Sequence, residues 1–229
     1  INLMTGLLEE GAGEMDARAF SRATEALATN LSFDVSDDAL SVSARFLTEN
    51  RAPSIDLLRA ALQEPRFDED AIERVRGQVI SNIQSNQKDP NKIAQQTFDR
   101  IAFGDHPYGS SLNGTLESVA GLTRDDLLAA HRAVLARDRI IVGAVGDITP
   151  EELGQMLDKL LGGLPAEGAP MPPRAEVDIP SGTTVVDFAT PQSVALFGQP
   201  GLAQDDPDWF TATVLNHVLG GGGFESRLM

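Results

Sequence analysis

The sequence predicts an α+β fold: an antiparallel sheet with helices packed on one face. Strand patterns are confined to short stretches: residues 31–36 and 39–47 alternate with period two, and 183–189 and 193–199 read as two further strands. Longer runs between them carry the helical period. Strands and helices come in separate blocks, whereas a doubly wound parallel sheet would need strict alternation.

Residues 1–9 read as an apolar helix stopped by Gly11 and Gly13, and a second helix starts at Asp16 with Phe20, Ala23 and Leu27 on one face. Residues 31–36 and 39–47 read as a β-hairpin in which Leu40, Val42, Ala44 and Phe46 share a face and Asp37-Asp38 make the turn. Residues 52–63 form an amphipathic helix with Pro53 in its first turn and Pro65 beyond its end. A long helix from Asp68 is interrupted at Lys88-Asp89-Pro90 and resumes, a loop covers 106–114, and a short helix covers 116–120. Thr123 with Asp126 forms a capping box. RIIVGAVG, residues 139–146, reads as a continuous apolar strand. Thr149-Pro150 then caps a helix with Leu153, Met156, Leu157 and Leu160 inward. Strands at 183–189 and 193–199 precede a helix from Pro207 to the run Gly220, Gly221, Gly222 and Gly223.

NLMTGLLEEGAG near the start and TVLNHVLGGGGF near the end echo one another, each an apolar helix stopped by glycines. The expected organisation is therefore two copies of one unit. Residues 1–164 would be most of a first repeat without its N-terminal strands. Residues 165–182, rich in Pro, Gly and Ala, would be a linker. Residues 183–229 would begin a second, truncated repeat. Unpaired strand edges and the apolar helix at 207–219 lead us to expect self-association of this fragment.

The chain has 229 residues, 41% of them hydrophobic, enough to bury a sizeable core. A net charge of −16 repels phosphate backbones and disfavours nucleic acid as a partner. Without cysteine there are no disulfides and no thiolate metal sites. No apolar run reaches membrane-spanning length.

Few stretches carry chemistry. Glu9 and Glu10 close the first helix and are either a solvated helix end or the remains of a site. The three histidines, His106, His131 and His217, contain no i,i+4 pair. His106 reads as a turn residue, the others as surface or boundary residues. The glycine run lacks the Lys-Ser/Thr of a phosphate loop and reads as a flexible turn at a helix C-terminus. No G-x-S-x-G is present.

The stretches GLLEEGAGEMDARAF, PRFDEDAIERVRGQVISNIQSNQKDP, FGDHPYG, LTRDDLLAAHR, VGDIT and LGGGGFESRL, taken in order, span nearly the whole chain. In that order they resemble the pitrilysin/insulinase family of zinc peptidases, which includes the mitochondrial processing peptidase subunits. Active members carry H-x-x-E-H on the corresponding helix: two imidazoles hold zinc, the Glu is the general base, and a Glu on a later helix completes the site. Here the motif falls on Gly6-Leu7-Leu8-Glu9-Glu10. Gly6 and Glu10 stand where the histidines would be, Glu9 at the general base, and Asn82 at the distal ligand.

The resemblance thus implies a member of the non-catalytic subunit type, with no zinc of its own. It would pair with an active zinc-peptidase subunit of the same family and help to enclose or bind peptide substrate. Gly220, Gly221, Gly222 and Gly223 are the implied substrate-handling candidates, and edge strands at 39–47 or 193–199 would hold extended peptide by strand addition. The competing readings are an active zinc-dependent peptidase with an atypical metal site and a structural core subunit of a larger complex. Periplasm or cell envelope is expected in preference to cytoplasm.

Overall fold

Local signals set the helix boundaries. In the computed structural model, which describes residues 1–221 and 223–228, Asp16 accepts from the Ala19 amide and opens α2 (Ala17–Ala26). The chain begins with α1 (Asn2–Thr5) and a minimal hairpin, β1 (Gly11–Ala12) with β2 (Met15–Asp16). After α2 come β3 (Asn30–Val35) and β4 (Leu40–Arg45), paired antiparallel with Phe33 opposite Val42 and Leu31 opposite Ala44. The register places Leu31, Phe33, Leu40 and Val42 against the core.

Helices α3 (Arg51–Gln63), α4 (Glu69–Asn86) and α5 (Pro90–Phe103) follow, then α6 (Leu116–Gly121), α7 (Arg124–Val134) and α8 (Pro150–Leu161). Capping boxes at Thr115/Ser118, Thr123/Asp126 and Thr149/Glu152 satisfy the first amides of the last three. In α4, Val75, Val79 and Ile83 repeat every four residues and are buried. They join Leu3, Met4, Leu7 and Leu8 of the α1 segment, Ile55, Leu58 and Leu62 of α3, and Phe67 in one apolar core. A smaller cluster of Ala12, Phe20, Leu57, Ala60 and Ala61 fixes α2 on α3. The architecture is α+β, as the patterning predicts.

Three expectations need correction. The first helix is only Asn2–Thr5. Beyond it the backbone tightens: Leu7, Leu8 and Glu10 donate three residues back, to Met4, Thr5 and Leu7, and Gly11 leaves the turn at φ +117°.

The strand expected at 139–146 is unpaired. A ladder needs a neighbour, and both sheets among the described residues are two-stranded. Ile141 (98% exposed) and Val145 (103%) therefore lie open. The stretches 183–189 and 193–199 are likewise irregular, so β4 is the only one of the two candidate peptide-holding strands that forms among the described residues.

The expected linker is anchored at its start. Arg137 and Asp138 donate to Pro165 and Ala166, Ala169 donates to Ala133, and the Arg139 guanidinium reaches the Ala169 carbonyl at 2.8 Å.

The final helix, α9 (Trp209–Asn216), passes into a five-residue π-helical turn, His217–Gly221.

Candidate functional site

The five residues Gly6 to Glu10 occupy the tightened turn between α1 and β1. Leu7 and Leu8 point inward and are fully buried, so the turn is held by the core on one side. Its other side carries Glu9 and Glu10. Gly6 has ordinary right-handed helical angles, φ −65° and ψ −10°, so the backbone does not require glycine there. Space is tight, however: a Cβ at this position would stand 3.2 Å from Val75 Cγ1 on α4, so Val75 would have to give by a few tenths of an ångström.

Glu10 accepts from Arg74 Nη2 at 2.5 Å, an ion pair between the turn and α4. Glu9 is exposed. Desolvation raises its carboxyl above the ordinary pKa, reinforced by the negative charges of Glu10 and of Asp34 on β3. A carboxyl raised on folding contributes stability that is complete below its unfolded pKa and is lost as pH rises through its folded value. Glu9→Gln is therefore expected to stabilise the chain slightly at pH 7, by less than about 1 kcal/mol because solvent screens the group. The gain should vanish below about pH 4.5. Urea midpoints of both chains at pH 4 and pH 7 check this.

Asn82 is exposed on α4, seven residues beyond Val75 and about 10 Å further along the helix. Gly6 and Glu10 thus meet the first half of α4, and Asn82 lies two turns away. Among the described residues, no group of three or more His, Cys, Asp and Glu is placed to hold a metal ion. The donor set does not suit zinc: glycine offers no ligand, neutral Asn is a poor one, and Glu10 is already engaged by a cation.

The histidines lie elsewhere. His131, expected near the surface, is 6% exposed, because its ring is seated between the end of α3 at Leu62 and Phe67. Its Nε2–H donates to the Leu62 carbonyl at 2.9 Å, and its ring meets Phe67 edge-on. Burial holds its pKa below the ordinary value. His106 is a turn residue, as expected: Nδ1 accepts from the Tyr108 amide and Nε2–H donates to Pro173. His217 is exposed.

Of the glycine run, Gly220 and Gly221 are exposed in the π-helical turn, Gly223 follows with φ +67°, and Gly222 lies outside the described residues. Arg227 and Leu228 donate back to Val218 and Leu219, folding the segment against the helix end.

An apolar cavity of about 850 Å³ sits between the β3–β4 hairpin, α3, α8 and residues 140–148. It is lined by neither the Gly6–Glu10 turn nor the glycine run near the end of the chain, so it is not part of this site.

Sequence reasoning missed Arg74 and Val75. Val75 was accessible in principle, since it precedes Asn82 by two helical turns on the same face. Nothing in the sequence pairs Arg74 with Glu10.

Comparison with known proteins gives the class to which this fold and turn belong. Residues 2–116, half of the chain, match the family described as insulinase, peptidase family M16, and residues 121–229 match the peptidase M16 inactive domain. The chain belongs to peptidase family M16.

It is 29% identical over 228 residues to a Helicobacter pylori protein named non-peptidase homolog YmxG, covering 99% of this chain and 52% of that one. It is 26% identical over 229 residues to an uncharacterized zinc protease of Streptomyces coelicolor, covering 97% and 50%. It is also 25% identical over 182 residues to the mitochondrial-processing peptidase subunit beta of Neurospora crassa, covering 77% and 38%. The fold matches the crystal structure of a peptidase M16 inactive domain from Pseudomonas fluorescens with a TM-score of 0.80 at 24% identity, over 99% of this chain and 56% of that one. The chain spans about half the length of the curated relatives it matches most fully.

Proposed function

We propose that this chain is a non-catalytic member of peptidase family M16 that pairs with a zinc-bearing member and contributes surface for extended peptide. The observation that carries this reading is the turn Gly6 to Glu10, in which one ligand position has no side chain and the other is ion-paired to Arg74. A zinc-bound water needs several neutral imidazole or carboxylate donors converging on the metal. Neither Glu9 nor Glu10 meets such partners here. The likeness to a relative named a non-peptidase homolog supports the same reading.

The exposed edge of β4 is the surface best suited to strand addition, because its unpaired backbone groups can bond a peptide without regard to side chain. The exposed glycines near the end of the chain stay candidates for substrate handling.

The test is direct. Purified chain is expected to contain no stoichiometric zinc and to hydrolyse no peptide by itself. It is expected to co-purify, from its native source, with a family member carrying intact H-x-x-E-H. One zinc per chain together with chelator-sensitive peptide hydrolysis would refute the proposal.

A further inference from the structure

We infer that the zinc site has been refilled rather than merely emptied: Val75 packs into the space that Gly6 leaves, and Arg74 supplies the cation that pairs with Glu10. The inference rests on the non-catalytic reading above and adds what now occupies the place of the metal.

Two independent contacts support it. The first is steric. Gly6 has angles that any residue adopts, yet a Cβ there would press on Val75 Cγ1 at 3.2 Å. Val75 is 7% exposed and packed among the core residues of α4. A β-branched side chain on a helix has one strongly preferred χ1, so moving its methyl aside is costly. An imidazole adds its bulk to a position where Cβ alone is already tight.

The second contact is electrostatic. The Arg74 guanidinium, permanently charged, lies 2.5 Å from Glu10. A divalent ion ligated at position 10 would face that positive charge at close range. Asn82, by contrast, is exposed and leaves room for a longer carboxylate. The obstruction is therefore at the α4 residues nearest the turn, not at the distal position.

It follows that returning the three ligands will not by itself return the metal. The experiment compares the intact chain carrying Gly6→His, Glu10→His and Asn82→Glu with the same chain carrying Val75→Ala and Arg74→Gln in addition. Zinc is titrated into each by calorimetry, with the fold checked by circular dichroism. The five-substitution chain is expected to bind zinc at least tenfold more tightly, ligation itself drawing the tightened turn into an α-helical one. A variant with Arg74→Gln but Val75 retained is expected to fall between the two.

Equal affinity in the three- and five-substitution chains would overturn the inference, as would a folded five-substitution chain that binds no zinc. If a ligand variant fails to fold, a stability cycle decides. Gly6→His should lower the urea midpoint with Val75 present and do so much less with Val75→Ala, and simple additivity would overturn the inference. Stoichiometric zinc in the unsubstituted chain would instead refute the non-catalytic reading. A zinc-free parent with equal affinities in the two variants would refute this inference alone.

Discussion

Phe67→Ala is expected to destabilise the chain by about 3–5 kcal/mol, the usual cost of emptying a large buried aromatic position. For a chain of this size that corresponds to a fall of roughly 10 °C in Tm. Phe67 is 1% exposed and joins the core at the point where α4 begins, just before its N-cap Asp68. Its ring also meets His131 of α7.

Phe67 has φ +48°, a left-handed conformation that costs a side-chain-bearing residue about 1 kcal/mol or more. The Arg124 guanidinium holds this bend from outside, donating to the Arg66 and Phe67 carbonyls at 3.0–3.3 Å. Alanine keeps the strain and loses the packing, whereas glycine loses the packing and relieves the strain. Phe67→Gly should therefore be no worse than Phe67→Ala and is expected to be about 1 kcal/mol more stable, the reverse of the usual order. Thermal or urea unfolding of the two variants measures the difference. A glycine variant less stable than the alanine one would show that the bend is unstrained.

His131→Ala is expected to cost about 2–4 kcal/mol, because two effects combine. The Leu62 carbonyl belongs to the last turn of α3, where carbonyls have no partner within the helix, and the His131 Nε2–H supplies one. Removing the ring leaves that buried acceptor unpaired and opens a cavity beside Phe67.

The same residue gives a pH dependence of defined sign. Burial lowers the folded pKa of His131 below its unfolded value, so the unfolded chain binds more protons. Its contribution is complete above about pH 6.5 and is lost as pH falls through the folded pKa. His131→Gln retains an N–H donor for Leu62 and removes the titration. The unsubstituted chain should lose urea resistance between pH 7 and pH 5 more steeply than the Gln variant. Parallel curves over that window would show that His131 does not titrate on unfolding.

The candidate site was only partly legible in the sequence. Gly6, Glu9, Glu10 and Asn82 could be marked because they fall on a known pattern, and a pattern needs only order and spacing. What those positions touch could not be read. Arg74 is separated from Glu10 by more than sixty residues of chain and becomes its partner only when α4 crosses the turn. Val75 reads as an ordinary core residue until its methyl is seen beside Gly6. The burial of His131 was missed for a similar reason: its surroundings in sequence are mixed, and only the distant Leu62 and Phe67 cover its ring.

The sequence by itself determined the helices, their caps and one hairpin. Each of these is stabilised by interactions within a few residues, such as the Thr123–Asp126 box and the alternation of Leu40 and Val42. It did not determine which extended stretches become strands. RIIVGAVG has the composition of a buried strand, yet a strand exists only through hydrogen bonds to a neighbour, and its backbone forms no ladder among the described residues. It did not determine the length of the first helix either. Apolarity favours helix throughout residues 1–9, while the tightened turn and the exit at Gly11 come from seating Leu7 and Leu8 in the core and joining β1 to the Pro65 segment. Only the tertiary structure decided that Arg74 and Val75 face this turn, because charge pairing and steric exclusion act between groups that the chain brings together from a distance.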